Sequence, residues 1–171
     1  KYCLKTFLYK LSIKIKKILI YIYIKMVTLK KFTKKNITQK YVGWLNDKNL
    51  MKYSRHKKSI FNYKKCENFY KEMKLKKNLF FAIFLKKKHI GNIIAYIDSI
   101  QKKAEISILT TQVGTGFISY QKIIIILKKI KINKIYSGTN KKNIKMIRLC
   151  KKLNMKFFKK DKSSVFFYKN I

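Results

Sequence analysis

The chain contains no proline, only five glycines and only three cysteines among its 171 residues. It has six acidic residues against 44 lysines and arginines, and only Arg55 and Arg148 are arginine. The cysteines, Cys3, Cys66 and Cys150, are odd in number and far apart. This spacing argues against disulfides and a zinc site and favours a reducing, cytoplasmic compartment. With six scattered acids and two isolated histidines, no metal cofactor is expected.

The net charge of +38 has two interpretations. Lysine, isoleucine and asparagine are abundant while glycine, alanine and arginine are scarce, which is the pattern that A/T-rich coding gives. Lysine would then be the default surface residue of a lysine-rich protein. The alternative is a non-enzymatic RNA-binding protein that combines lysine patches with aromatic side chains, although the lack of arginine counts against it. Under both interpretations the positive field attracts anions, phosphorylated ligands included.

The chain divides at Met26 into an unusual start and a single ordinary domain. A hydrophobic fraction of 47% excludes a disordered polycation. Residues 1–25 hold no acid and one apolar run at 18–24, which is shorter than the roughly 20 residues that cross a bilayer. We interpret 1–25 as a non-native or upstream extension, either disordered or helical, and 26–171 as the functional domain. A membrane-surface anchor is the alternative for the extension.

The apolar pattern after Met26 alternates between strand and helix periods. Strands are predicted at 27–32, 79–85, 90–97, 104–109, 134–139, 156–160 and 165–169. Helices are predicted at 38–46, 62–76, 117–130 and 143–153, the first capped by Thr38. The run 123–127 predicts a third helix that is buried on all sides. This order indicates a mixed α/β domain with antiparallel pairing in its middle, and it excludes a doubly wound sheet.

A glycine-containing loop joins the predicted strand 104–109 to the helix that follows. A strand, a Gly-x-Gly loop and a helix start bring several main-chain N–H groups together at the positive end of a helix dipole, which suits a phosphate group. Taken alone the motif is weak, because loops of this kind more often simply connect a strand to a helix. Its residues are Val113, Gly114, Thr115, Gly116, Phe117 and Ile118.

Four stretches carry a resemblance to a known family, and they occur in the family's order. They are YVGWLND at 41–47, the hairpin 79–85 with HIGNI at 89–93, the strand AEISIL at 104–109, and 134–139 followed by NIKMIRLCKKLNM at 143–155. Together they resemble the GCN5-related N-acetyltransferases, in particular the branch of ribosomal-protein N-terminal and amino-sugar acetyltransferases. The resemblance covers nearly all of residues 26–171.

This resemblance implies a GNAT-like, mixed and mostly antiparallel sheet, splayed between strands 4 and 5, with helices on both faces. Acetyl-CoA, as co-substrate, would lie in the splay with its pyrophosphate on the 113–118 loop. A main-chain N–H near Ile108 or Leu109 would stabilise the oxyanion. Asn143 would bind the pantetheine arm, although as a sequence feature it could equally be a helix N-cap.

The resemblance also implies roles for side chains. Glu105 is the candidate base, through water if not directly, and otherwise a solvated or lysine-paired strand residue. Many relatives protonate the leaving thiolate with a tyrosine, whose position Cys150 occupies here. Tyr168 is a candidate acid in its place, or else a packed aromatic. On the acceptor side the candidates are Trp44, Arg55 and His56, of which the last two could simply belong to a solvated loop.

Four positions or lengths depart from the family pattern. Ile118 stands where a small residue is usual, the segment before the loop is short, Cys150 replaces tyrosine and Asn154 replaces glycine. These changes are compatible with an unusual enzyme or with a decayed copy that folds but binds CoA poorly. The sequence thus predicts an N-acetyltransferase acting on a primary amine, carried by a nucleotide-linked amino sugar or a protein N-terminus. No specific nucleic acid and no membrane span are expected.

Overall fold

The computed structural model describes residues 2–171, and within the first helix the side chains of residues 9, 11–15, 18 and 21–26. Lys1, part of the predicted extension, and the side chain of Cys3 lie outside the described residues. The helices are α1 (Tyr2–Met26), α2 (Gln39–Asn46), α3 (Tyr63–Leu75), α4 (Thr115–Lys129) and α5 (Ile144–Lys152). The strands are β1 (Val27–Lys31), β2 (Leu79–Leu85), β3 (Lys88–Asp98), β4 (Lys103–Thr110), β5 (Lys134–Asn140), β6 (Lys156–Lys160) and β7 (Ser164–Asn170).

The seven strands form one sheet in the order β1-β2-β3-β4-β5-β7-β6. Every neighbouring pair is antiparallel except β4 and β5, which run parallel. The predicted fold class is therefore confirmed, a mixed and mostly antiparallel sheet with helices on both faces. A single turn of 3-10 helix at Lys34–Asn36 follows β1.

Each face of the sheet carries its own apolar core. Helices α4 and α5 pack on one face, where Ile93, Ile123 and Cys150 belong to one buried cluster. Helices α2 and α3 pack on the other, where Trp44 and Ile94 belong to a second. The two-sided cover explains why β2 and β3 are apolar on both sides.

The prediction that α4 is buried all round is wrong. Ile123 and Leu127 are fully buried, but Ile125 is 56% exposed. The physical reason is that α4 packs on the sheet with one side only, so the remaining side of an apolar helix meets solvent.

Helix α1 ends beside the main domain. Ile24 packs against the core cluster of the α4 face, and the Tyr23 hydroxyl donates a 3.4 Å hydrogen bond to the Val113 carbonyl oxygen. None of the helices in the described part of the chain is both long and apolar enough to cross a membrane. The division of the chain at residue 25 stays a prediction.

His89 lies in an aromatic nest between the sheet and α2. Its ring centroid lies 5.1 Å from that of Trp44, 5.3 Å from that of Phe84 and 6.1 Å from that of Tyr41. Because a carbonyl can only accept, Nε2 carries the proton in its 3.0 Å hydrogen bond to the Gly91 oxygen. Burial lowers the pKa of His89 from its ordinary value of 6.5.

We expect the folded chain to lose stability as the pH falls through 6.5. The unfolded chain takes up the His89 proton there, whereas the folded chain does not until its lower pKa is reached, so the stabilisation present above 6.5 is lost. Thermal melts across this range should show a smaller fall in Tm for His89→Phe than for the wild type. His56→Phe, at an exposed histidine, is the control and should keep the wild-type dependence. Equal pH dependence in His89→Phe and wild type would contradict this assignment.

Candidate active site

Strands β4 and β5 separate after only three residue pairs. They pair at Lys103–Lys134, Ala104–Ile135 and Glu105–Tyr136, and no further. Both strands nevertheless continue, to Thr110 and Asn140. A wedge-shaped cleft therefore opens between residues 106–110 and residues 137–140.

Three polar atoms hold the closed end of this cleft. The Ile106 carbonyl oxygen accepts hydrogen bonds from Ser137 Oγ at 3.0 Å and from the Tyr120 hydroxyl at 3.3 Å. The two hydroxyls lie 2.7 Å apart. Both side chains are buried, and burial raises the pKa of Tyr120, which keeps its phenol neutral. Side chains thus satisfy a buried main-chain oxygen where the strands part, so the separation leaves no orphaned acceptor there.

The main chain of β4 alternates between β3 and the cleft. A Cβ on Gly91 of β3 would overlap the Leu109 carbonyl oxygen, and the Thr111 N–H donates to the Ile90 oxygen at 2.9 Å. The peptide groups of residues 109 and 111 therefore point to β3, and by the strand period that of Ile108 points into the cleft. Of the two expected oxyanion donors, Ile108 has the required direction and Leu109 does not.

The loop between β4 and α4 is built to leave main-chain N–H groups free. Gly114, the N-cap of α4, has a left-handed φ of 86°. The Thr115 hydroxyl donates to the Gln112 oxygen at 2.7 Å and thereby ties the loop to the start of the helix. No residue that the structure describes accepts a well-aligned hydrogen bond from the N–H groups of 113–116. Unpaired N–H groups at the positive end of a helix dipole are the groups that bind anions in other proteins.

The departure at Ile118 does not close this loop. The Ile118 side chain is 5% exposed and belongs to the core under α4, whereas Val113 is 90% exposed. A Cβ on Gly116 would lie 3.4 Å from Leu149 and 3.9 Å from Ile108, which is ordinary contact distance. The helix start is thus seated between β4 and α5. Val113 and Gly114 are exposed, Thr115 is fully buried, and the Tyr23 hydroxyl lies 3.5 Å from the position of a Cβ on Gly114.

Glu105 and Arg55, 50 residues apart in sequence, meet on the α2–α3 face of the sheet. Arg55 Nη2 lies 3.2 Å from Glu105 Oε1 and 3.7 Å from the position of a Cβ on Gly138 in β5. Both side chains are substantially exposed, so the pair contributes little to stability. Tyr96 pairs with Glu105 across β3 and β4, and its pKa is raised by burial and by the Glu105 charge.

Two of the residues predicted to contact the acceptor, Trp44 and His56, are not in contact with Glu105. Trp44 is 8% exposed and packs edge-on to His89 in the core of the α2–α3 face. His56 is exposed, with its ring edge-on to Phe61. Within the described residues, no hydrogen bond or ring contact joins either side chain to Glu105.

The structure also shows the surroundings of the candidate acids, Cys150 and Tyr168, and of Asn143, the residue expected to bind the pantetheine arm. Cys150 is fully buried, and burial raises the pKa of its thiol to about 12. Tyr168 pairs with Tyr136 at the level of the closed end of the cleft. Asn143 caps α5, because its Oδ1 accepts from the Met146 N–H at 3.2 Å, and its Nδ2 donates to Thr139 Oγ1 at 3.0 Å.

Sequence reasoning missed three polar residues near the cleft. Tyr120 and Ser137 form its closed end, and Asn92 lies opposite Leu109 on β3. Asn92 is 7% exposed, and its Oδ1 has no hydrogen-bond partner among the described residues. The signal in the sequence was a polar residue inside an otherwise apolar segment. Such a pattern indicates a buried polar group, but it does not indicate which residue that group bonds to.

Comparisons with solved structures identify the fold. RimL, a ribosomal-protein alpha-N-acetyltransferase in complex with coenzyme A, matches with a TM-score of 0.77 at 12% identity over 85% of this chain and 94% of RimL. Spermidine N-acetyltransferase from Vibrio cholerae, solved with CoA and spermine, matches with a TM-score of 0.73 at 16% identity over 85% and 96%. The chain has the fold of the GCN5-related N-acetyltransferases.

A third neighbour, the microcin self-immunity acetyltransferase MccE in complex with acetyl-CoA and AMP, matches with a TM-score of 0.72 at 17% identity over 85% of this chain and 93% of MccE. No protein-family model and no curated protein matches the chain. In the part of the chain that the structure describes, no three His, Cys, Asp or Glu side chains gather as a metal ion would require.

We predict that Tyr120→Phe and Ser137→Ala each destabilise the chain by about 1 kcal/mol, and that the double variant loses less than the sum. The reason is that the two hydroxyls bond to each other as well as to Ile106. Chemical denaturation of the wild type, the two single variants and the double variant gives the four free energies of unfolding from which this coupling is calculated. Tyr41→Phe is the control, since this buried tyrosine donates its hydroxyl to no described residue. Additive losses, or an equal loss in the control, would contradict the arrangement.

Proposed function

We propose that the chain is an N-acetyltransferase that moves acetyl from acetyl-CoA to a primary amine. The observation that carries this proposal is the parting of β4 and β5 beside a loop with free N–H groups. The fold neighbours that were solved with CoA or acetyl-CoA support it.

The described residues fit this co-substrate at two points. The N–H groups of 113–116 and the start of α4 would bind its pyrophosphate. The Ile108 N–H would lie beside its thioester carbonyl. When bound, acetyl-CoA supplies an activated acyl group. Contact between Asn143 and the pantetheine arm stays a prediction, because both ends of its amide are used within the chain.

Transfer would form a bond between the amine nitrogen and the acetyl carbon and would break the bond from that carbon to the CoA sulfur, so that CoA leaves as its thiolate. It requires a deprotonated amine and a stabilised oxyanion. In this proposal Glu105 takes the amine proton through water, because it lies three residues, about 10 Å, from Ile108 along β4. The Ile108 N–H donates to the carbonyl oxygen as negative charge develops there, an effect worth about 3–4 kcal/mol in other enzymes. We assign no acid to Cys150, which solvent does not reach, or to Tyr168, which lies at the closed end.

For the acceptor we propose first an amino sugar on a nucleotide carrier. Arg55 supports this choice, because a guanidinium over β5 beside Glu105 is placed to bind a phosphate group near the cleft. The net charge of +38 favours the same class of ligand. A protein N-terminus is the second candidate, and a cytoplasmic location stays a prediction.

We predict that millimolar CoA raises the Tm of the chain and that Gly116→Asp removes this shift. A carboxylate at this position would repel the pyrophosphate, while the site has room for a Cβ and the helix start tolerates an acid. Gly43→Asp is the matched control. It makes the same change on α2, where a Cβ would meet nothing within 4 Å, and should keep the shift. A wild-type chain without any shift would favour a decayed copy, and a shift retained by Gly116→Asp would place CoA elsewhere.

We predict that Glu105→Gln lowers kcat about a hundredfold while CoA affinity stays close to that of the wild type. The amide keeps the size and can still accept from Arg55, but it cannot take a proton. The measurement is steady-state kinetics on an amine found in an acceptor screen, together with CoA titration. Glu72→Gln is the control. It changes an exposed glutamate of α3 that pairs with Lys76, and it should leave kcat unchanged. Unchanged kcat in Glu105→Gln would remove Glu105 from the mechanism.

A further inference from the structure

A corner of three aromatic rings lies on the α2–α3 side of β5, β6 and β7. It contains an open depression of about 220 Å³ that is lined by Lys134, Tyr136, Phe158 and Tyr168. The rings of Tyr136 and Tyr168 are tilted by only 36° with centroids 6.4 Å apart, so they form a floor. Phe158 stands at 67° to the first and 75° to the second and forms a wall. Lys134 Nζ lies over the Tyr168 ring, 5.7 Å from its centroid, so a flat ring stacked on this floor would lie beside that ammonium group.

A β-bulge in β6 sets the position of Phe158, the residue that forms the wall. In the pairing of β6 with β7, Phe157 lies opposite Phe167 and Lys159 opposite Phe166, so Phe158 has no partner. An extra residue of this kind redirects its side chain. Phe158 is 50% exposed although it contacts both floor rings, which leaves aromatic surface uncovered.

Positive groups lie next to the corner along β5 and β7. Lys159 Nζ lies 5.8 Å from the Phe158 centroid and 5.3 Å from that of Phe166. A Cβ on Gly138 would lie 2.8 Å from the Phe166 ring and 3.7 Å from Arg55 Nη2. Lys159 and Arg55 therefore lie near Phe166 and Gly138, two residues along β7 and β5 from the corner. Glu105 lies directly beside Tyr136 of the corner, because the two residues pair across β4 and β5.

We propose that the aromatic corner binds the nucleobase of a nucleotide-carried acceptor, with the phosphates held by Lys159 and Arg55. Stacking suits a nucleobase because every base has a π-face, and Lys134 Nζ, 5.7 Å from the Tyr168 centroid, can donate to an exocyclic oxygen. Because Tyr136 pairs with Glu105, the corner lies three residues, about 10 Å, from the level of Ile108 along β4. A diphosphate and a sugar can bridge that span. This inference rests on the proposed function.

The test is the affinity of the full chain for uridine diphosphate, measured by calorimetry beside ribose 5-phosphate, which lacks a base. Uridine diphosphate should bind more tightly, and Phe158→Leu should weaken it about tenfold. Phe157→Leu is the matched control, since Phe157 is 57% exposed and packs against Phe167 instead, and it should bind like the wild type. Equal affinity for the two ligands, or equal loss in both leucine variants, would overturn the proposal.

A second pair of variants tests the phosphate contact. Lys159→Gln should lower the affinity for uridine diphosphate more than Lys160→Gln does. It should also make that affinity less dependent on salt concentration. Equal effects would show that the general charge of the chain attracts the ligand, and would overturn the assignment of Lys159.

Competition with CoA separates this inference from the proposed function. Uridine diphosphate should bind equally well with saturating CoA, and Gly116→Asp should leave its affinity unchanged. Binding that CoA displaces would overturn the corner as the site. Binding that Phe158→Leu weakens in a chain without any CoA shift would keep the nucleotide site and reject the transferase. Much tighter binding of oligouridylate than of uridine diphosphate would favour a single-stranded RNA surface and overturn an acceptor site.

Discussion

The hydrogen bonds among Tyr120, Ser137 and Ile106 fix the point at which the sheet divides. Where two strands stop pairing, their main-chain N–H and C=O groups lose their partners. A carbonyl oxygen that is buried in an apolar core without a hydrogen bond costs free energy of folding. Here two hydroxyls from α4 and β5 satisfy the β4 oxygen. The main-chain groups beyond this point, including the Ile108 N–H, are thereby left free along an open cleft.

Everything assigned to the site follows from this division. The loop before α4 begins where β4 ends, so its N–H groups lie at the open end of the cleft. Glu105 lies at the last residue pair before the strands part, and Arg55 reaches it from the turn after α2. In the proposed function the two sides of the sheet have different roles. The loop and α4 would bind CoA, and Glu105 with the aromatic corner would bind the acceptor.

Local pattern in the sequence was enough for most of the fold. The strands and the helices after residue 26 were predicted close to their observed bounds, since apolar periods of 2 and 3.6 are properties of single elements. Thr38 caps α2 as expected, because a cap depends on neighbours three residues away. The Arg55–Glu105 pair and the Tyr120–Ser137 pair were not predicted, since each joins distant segments. The bulge at Phe158 depends on the register of a partner strand, which the sequence of β6 does not reveal.

The most direct test of the divided sheet as a CoA site is an NMR titration of the isotope-labelled chain with CoA, followed at the main-chain amides. The structure predicts that the largest shifts fall on Gly114, Thr115, Gly116 and Ile108, and that Leu109, turned toward β3, moves less. Shifts spread over the lysine-rich surface, with the amides of the loop and of Ile108 unmoved, would show that the cleft does not bind CoA.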